Sequence, residues 1–264
     1  MTELIKPATF DFVIVGAGAA GCVLANRLSA LPQAPSVCLI ERGSSHTDSL
    51  WNIAMPAGFR YNLLSFDKHP DLWLRSLSEP EKQLNGRRFE CIRGAGWGGG
   101  SIVNAMGFAR GQPEDFNHWA KNEFCTDLWS FEKCLPNFKR LESYTSGIEE
   151  ADAIDYNAEM ECMKRIPEYR GFDGPMKVIS GRVLNRQYSK CPFNPAFIRA
   201  GIQAGHKYNP DINGPNQEGV GWLDWNIADG VRQSTSRCYL LPALSRKEPH
   251  SNIECTCVAR YPRR

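Results

Sequence analysis

The sequence predicts an α/β protein whose N-terminal part is a parallel sheet carrying helices. Three observations predict it. Phe10 to Val15 (FDFVIV) and Ser36 to Ile40 (SVCLI) are short apolar runs with β-branched residues, which suits buried parallel strands. Between them, GAGAAG sets Gly16, Gly18 and Gly21 in G-x-G-x-x-G spacing, and Ala20, Val23, Leu24, Leu28 and Leu31 then share one helical face. Further along, Arg93 to Gly111 (RGAGWGGGSIVNAMGFARG) holds seven glycines in nineteen residues.

Each part of the first unit has a mechanical role. The first glycine permits a tight strand-to-helix turn, the second lets a pyrophosphate approach the backbone, and the third lets helix and strand pack closely. The helix N-terminus offers free N–H groups and the positive end of its dipole to phosphate. Glu41, twenty residues beyond Gly21, would accept hydrogen bonds from an adenosine ribose. A lone G-x-G-x-x-G is a weak signal; here its strand, helix, second strand and acid are all in place, which makes it strong. The competing reading is a glycine-rich turn in some other α/β protein. The unit alone does not separate NAD from FAD.

Composition excludes several classes. The chain has 264 residues, 42% hydrophobic and 23% charged, with a formal net charge of +2. That is ordinary globular composition for one large domain or two smaller ones. The charge balance gives no electrostatic case for nucleic acid or an anionic membrane. Met1 to Phe10 (MTELIKPATF) has no apolar core or cleavage pattern of a secretory signal, and no run reaches the ~18 apolar residues of a spanning helix. A cytoplasmic location is the expectation, with an organelle left open. Ten cysteines are scattered without a C-x-x-C pair, so reduced thiols are expected, not a metal site or disulfide framework.

The glycine-rich stretch is not a linker, which would be flanked by polar, low-complexity sequence. Its flanks are Phe89-Glu90-Cys91-Ile92 and Phe108-Ala109-Arg110, and it contains Trp97, Ile102, Val103 and Met106. It reads as a loop folded against a flat ligand. Arg93-Gly94, Gly98-Gly99, Gly100-Ser101 and Asn104 together resemble the signature of the GMC (glucose–methanol–choline) oxidoreductases, which are FAD enzymes. Trp97 stands where the family has an aliphatic residue, and Gly100 where it has Ser. The similarity continues through Gly107–Gly111, Pro113, Asp115, Phe116 and Trp119, then Leu128-Trp129-Ser130, Leu135-Pro136 and Phe138, and Asn85-Gly86-Arg87 resembles the turn before the signature. Pro113 opens a helix, with Glu114 and Asp115 complementing its dipole. Phe116, Trp119, Trp129 and Phe138 are expected to be core packing.

The resemblance implies a Rossmann-like FAD-binding domain plus the start of an α+β substrate domain with an antiparallel sheet, the chain as a whole being a truncated, N-terminal portion of the family. Residues 10–264 would be that portion, with 10–142 and 190–260 mainly binding FAD. Residues 143–189 would be a variable segment and the start of the substrate-domain sheet, opened by Gly174 to Ile179. The implied cofactor contacts are Gly16, Gly18, Ala19, Ala20, Gly21, Glu41 and Arg42 at the ADP end. Gly96, Gly100, Ser101, Asn104, Ala105, Met106 and Gly107 would lie along the flavin and its ribityl chain, and Val258 would meet adenine. Pro195 to Gly205 suits a helix stopped by Gly205. Asn209, Asp211, Asn213-Gly214 and Gln217 to Gly221 are dense turn chemistry and match the family further, as do Gly230, Arg232, Ser234 and Tyr239-Leu240. Asp211 and Glu218 are read as turn residues over an acid–base pair.

The family oxidises CH–OH donors with a C-terminal His paired to a second His or Asn. None of His46, His69, His118, His206 and His250 stands in that motif, so no catalytic residue is assigned. The implied function is FAD-dependent oxidation of a small alcohol by the family, with this chain itself a non-catalytic FAD-binding fragment as the alternative. A nicotinamide reductase is a poor third reading, since it leaves the stretch from Arg93 to Gly111 unexplained. Self-association through exposed sheet edges is also expected.

Overall fold

The computed structural model describes residues 9–45, 47–64, 68–122, 126–145, 167–246 and 253–257. Val258 and most of the 143–167 segment lie outside them. The chain divides into two compact units, one made of residues up to Met106 together with those from Asp229 onward, the other of Gly107–Ala228. Residues 107–142 and 190–228 fall in the second unit.

The first unit begins with β1 (Phe12–Val15), α1 (Ala19–Ser29) and β2 (Val37–Glu41), then two short helices, α2 (Trp51–Ala54) and α3 (Gly58–Leu64), and the strands β3 (Trp73–Leu77) and β4 (Glu90–Gly94). The second contains β5 (Gly107–Phe108), α4 (Pro113–Ala120), α5 (Phe131–Leu141), β6 (Glu142–Thr145), β7 (Met176–Ser180), α6 (Gly181–Leu184), α7 (Phe193–Gln203), β8 (Asp224–Trp225) and β9 (Ile227–Ala228). The chain returns to the first unit with β10 (Val231–Arg232), α8 (Leu241–Leu244) and β11 (Ile253–Cys257).

In the first unit β2 pairs in parallel with β1 on one side, Phe12 opposite Val37, and with β11 on the other, Ile253 opposite Val37. Parallel pairing is what the βαβ spacing predicts, because only a crossover returns a strand in the same direction. Burial follows position in the sheet. Central β2 buries Val37 and Leu39 completely, whereas Val13 is 59% and Val15 82% exposed. The expectation that Phe10–Val15 is a buried strand is therefore corrected: among the described residues β1 is the outer strand of its sheet, and three of its four residues are exposed. An apolar strand with no outer partner among the described residues is a template for association. Size-exclusion chromatography is expected to show species larger than a monomer, and Val15→Lys to reduce them. A monodisperse monomer of the unaltered chain would contradict this.

Helix α1 also turns a different face inward than its apolar periodicity predicts. It buries Gly21, Cys22, Ala25 and Ser29, while Leu24 and Leu31 are 49% and 40% exposed. The physical reason is closeness. A Cβ at Gly21 would overlap the Gly16 carbonyl oxygen, so helix and turn touch backbone to backbone and only small residues fit that face. Asn26 Nδ2 donates to the Tyr239 carbonyl at 2.7 Å, and Arg246 Nη1 donates to Ser29 Oγ at 2.9 Å. Both tie α1 to the returning segment.

The antiparallel pair β3–β4 sets Trp73 opposite Gly94. It brings Trp73 to a buried cluster with Ile53, Leu72 and Ile102, against which Val103 packs. This cluster is the floor under the glycine-rich stretch. Between these strands Asn85 and Gly86 take positive φ, 56° and 74°, the turn their sequence predicts.

The second unit's sheet has the order β5-β8-β7-β6. It is mixed, not antiparallel as expected: β8 runs antiparallel to β5 and β7, but β6 and β7 are parallel. The long connection between Thr145 and Met176 is enough chain for a crossover, which parallel pairing requires. Helix α4 has Pro113 in its first turn with Glu114 and Asp115, as predicted. Its Phe116 is buried and lies 5.2, 5.8 and 5.5 Å from the rings of Trp119, Phe131 and Phe138. Trp119 and Trp129, expected in the core, are half-exposed; their rings meet edge to face at 6.3 Å. Gly205 follows α7 with φ of 93°, the left-handed stop its position predicts.

Under this sheet lies a buried charge network. Arg170 Nε donates to Asp211 Oδ2 at 2.8 Å and its Nη2 to Asp224 Oδ2 at 2.5 Å, while Nη1 lies 3.4 Å from Glu142 Oε1. Arg110 Nη2 donates to Glu142 Oε2 at 2.5 Å. All five side chains are at most 2% exposed. Burial pushes the Glu142 carboxyl above its usual range despite Arg110 and Arg170. Burial alone would pull Arg170 down, but Asp224, Asp211 and Glu142 hold it above its ordinary value. The turn reading of Asp211 stands: Asn209 Oδ1 accepts from Asp211 N and Asp211 Oδ1 from Asn213 N, each at 2.9 Å. Its ion pair with Arg170 is invisible to local sequence. Glu218 is exposed and has no part in the network.

Candidate functional site

Three loops of the first unit pack on one another: Gly16–Gly18 after β1, Gly43–Thr47 after β2, and Gly96–Met106 after β4. Gly98 N donates to the Ala17 carbonyl at 2.8 Å, Trp97 N to the Ser44 carbonyl at 3.1 Å, and Thr47 Oγ1 to the Trp97 carbonyl at 2.8 Å. Glu41 locks the first two loops, its Oε2 accepting from Ala17 N and its Oε1 from Gly43 N, both at 2.7 Å. The acid expected to meet a ribose is, within the chain, the clasp of its own turn.

The glycines fall into two classes. Gly99 takes φ of 51°, and a Cβ there would sit 2.8 Å from the Gly18 Cα, so the first and third loops touch through bare backbone. By contrast, a Cβ on Gly18 or Gly100 would meet nothing within 4 Å, and neither has a positive φ. No contact inside the chain calls for glycine at these two positions. Gly18 is also the N-cap of α1 and supplies no side-chain cap, leaving the first N–H groups of an eleven-residue helix without that partner. A cradle that a Cβ would fill, at an uncapped helix N-terminus, fits a dinucleotide pyrophosphate.

Around Gly100 the stretch is ordered on the inside and open on the outside. Gly96 to Gly99, Ile102 and Met106 are buried, whereas Gly100, Asn104 and Ala105 are exposed. Met106 takes φ of 64°, a left-handed conformation that strains a side-chain-bearing residue by ~1–3 kcal/mol. Its N–H is held by Asn104 Oδ1 at 3.1 Å. Ala19 and Ala20 are exposed in the first turn of α1, and Arg42 is exposed after β2. Gly107 belongs to the second unit, where it opens β5.

The returning segment supplies residues that sequence reasoning did not place at the site. Thr235 N donates to Ser101 Oγ at 3.0 Å, and the hydroxyls of Ser101 and Thr235 are 3.0 Å apart. Ser101 Oγ in turn donates to the Gly98 carbonyl at 2.6 Å. Asp48, buried, accepts from Ser234 Oγ at 2.5 Å and also from Ser236 Oγ. Arg232 reaches the Ser101 and Asn104 carbonyls. The sequence marked Arg232 and Ser234 only as further matches to the family, with nothing local to bring them to the glycine-rich stretch. Cys22 lies beneath, and burial pushes its thiol up to about 11, so it stays a neutral packing group. Among the described residues no cluster suits a metal ion, and no helix is long and apolar enough to cross a membrane.

Comparison with known proteins agrees with this geometry. The chain is 36% identical over 258 residues to mouse mitochondrial choline dehydrogenase, covering 95% of this chain and 38% of that protein. It is 38% identical over 244 residues to the oxygen-dependent choline dehydrogenase of Staphylococcus aureus, covering 92% and 38%. Pyridoxine 4-oxidase from Mesorbium loti superposes with a TM-score of 0.73 at 26% identity, over 94% of this chain and 42% of that one. An FAD-dependent oxidoreductase from Chaetomium thermophilum gives 0.73 at 25%, over 93% and 38%. The chain spans about two fifths of the length of these relatives. Residues 10–259 match the profile of the family described as GMC oxidoreductase, and the chain belongs to that family.

Proposed function

We propose that this chain binds FAD and serves the oxidation of a CH–OH donor, a small alcohol of the choline type. One observation carries the reading: the Gly18 and Gly99 loops meet through bare backbone, beside two glycines, Gly18 and Gly100, that nothing within the chain requires. Relatives named as FAD-dependent oxidoreductase and choline dehydrogenase support it. When bound, FAD supplies the acceptor for the hydride that leaves the carbinol carbon.

The chain's own residues divide the binding. Gly16, Gly18, Ala19, Ala20 and Gly21 place the N-terminus of α1 against the pyrophosphate, and Glu41 and Arg42 face the ribose end, with Val258 at the adenine. Gly96, Gly100, Ser101, Asn104, Ala105, Met106 and Gly107 line the flavin and ribityl chain. The Rossmann-like unit is the one around β1, β2 and β11, and the mixed sheet of the second unit belongs to the substrate side. No residue is assigned as the base that takes the hydroxyl proton.

The second reading, FAD binding without turnover, is favoured by the described histidines: His69 packs on Tyr61 at 5.7 Å between ring centres, and His118 and His206 are exposed. Purification with added FAD separates the cases. The expected product is a yellow protein that retains the flavin through gel filtration. Anaerobic addition of choline and other small alcohols then decides between them. Bleaching of the flavin band at a catalytic rate establishes oxidation, and a stable yellow colour establishes the second reading. A colourless protein that retains NAD would reject both.

A further inference from the structure

Arg232 is a buried cation that forms no ion pair among the described residues. It is 0% exposed. Its Nε donates to the Ile53 carbonyl at 2.9 Å. Its Nη1 donates to the Ser101 carbonyl at 3.2 Å, the Asn104 carbonyl at 2.7 Å and Asn104 Oδ1 at 2.8 Å. Nη2 is buried with no hydrogen-bond partner. Asp48 is the carboxylate whose charge bears on it, yet both Asp48 oxygens accept from serine hydroxyls, and among the described residues no ion pair joins the two. Among the described residues, the acceptors that solvate this guanidinium are all neutral.

Such an arrangement is costly, because burying a charge without an opposite one forfeits hydration that dipoles only partly replace. Burial pulls the guanidinium down to about 10, with Asp48 opposing, so it stays charged at neutral pH. A structural strut could be built without that cost. What distinguishes this one is its place: three of its hydrogen bonds end on Ser101 and Asn104, within the stretch assigned to the flavin. Asn104 Oδ1 passes the connection on to the N–H of strained Met106.

We propose that Arg232 is the positioning residue of this loop and the fixed positive charge of the flavin site; this rests on the FAD reading above. Two electrons and one proton convert the neutral oxidised ring into a reduced ring carrying one negative charge. The CH–OH donor supplies the electrons and that proton, and releases its hydroxyl proton separately. An uncompensated cation in a low-dielectric setting favours the reduced form. It makes the bound flavin a stronger oxidant than the same loop would with its charge paired.

The test uses the full chain loaded with FAD, titrated spectroscopically against redox dyes, alongside melting of the apo-protein. Asn104→Asp is the informative variant. It keeps an acceptor oxygen for both Arg232 Nη1 and Met106 N–H while giving the guanidinium a carboxylate partner. Its bound flavin is expected to be at least tenfold harder to reduce, about 30 mV lower in potential for a two-electron couple, with apo-protein melting held or raised. Arg232→Met should lower the potential as well, and Arg232→Lys should restore most of it while leaving the loop's hydrogen bonds broken. For Arg232→Met, a merely structural role predicts a lower melting temperature with no change in potential. If Asn104→Asp binds flavin at the unaltered potential, the inference is overturned. If the unaltered chain takes up no FAD, the FAD reading fails instead.

Discussion

Gly99→Ala is expected to destabilise the first unit by roughly 2–5 kcal/mol and to abolish FAD uptake, whereas Gly100→Ala, one residue on, should leave stability intact and lose only the cofactor. At Gly99 the two penalties add. A φ of 51° disfavours any side chain, and the new methyl would press against the Gly18 Cα. A left-handed alanine costs about 1–2 kcal/mol, and overpacking into backbone that cannot yield costs about 1–3 more. At Gly100 neither applies. The methyl meets nothing within 4 Å, and it removes freedom from the unfolded chain, so stability should hold or rise by about 0.4–1 kcal/mol. The same methyl would occupy the surface offered to the flavin, and FAD affinity is expected to fall at least tenfold. Thermal melting of the two apo-proteins and flavin titration read out both halves. A Gly100→Ala protein that binds FAD as tightly as the unaltered chain would remove that glycine from the site.

The second large effect is expected in the other unit. Arg170→Met removes a side chain that touches Glu142, Asp211 and Asp224 at once. Breaking a buried ion pair by deleting one partner typically costs about 3–5 kcal/mol, a large share of the roughly 5–15 kcal/mol that holds a domain together. The packing of the guanidinium 4.1 Å over the Tyr144 ring goes with it. The pH dependence is diagnostic. Burial holds the Glu142 carboxyl above its ordinary value while Arg170 pulls it down, so with Arg170 gone its folded-state pKa rises further above the unfolded value. The folded state then holds protons that the unfolded chain releases, so its stability falls as pH rises through that window and recovers as pH drops. The deficit between Arg170→Met and the unaltered chain should therefore be larger at pH 7.5 than at pH 5. A deficit that does not change with pH would show that the loss is packing, not charge.

Local sequence determined what a few consecutive residues can enforce. Gly16, Gly18 and Gly21 between two apolar runs fixed the parallel β1–α1–β2 unit. The glycines, Trp97 and Asn104 of the 93–111 stretch marked the ligand loop and, through resemblance, the family. Pro113 and Gly205 marked helix ends, and Asn209, Asp211 and Asn213 their turns, since each acts within one or two residues of itself. Tertiary structure decided what depends on neighbours distant in the chain. Val15 is exposed because β1 lies at a sheet edge, and α1 buries Cys22 and Ala25 instead of its leucines because Gly21 brings it against the Gly16 carbonyl. Arg170 and Arg232 look alike as letters, yet one is enclosed by three carboxylates and the other by neutral oxygens alone. Burial and pairing of charge are properties of the surroundings, and those come from segments more than a hundred residues away for Arg232 and from twenty-eight to fifty-four for Arg170.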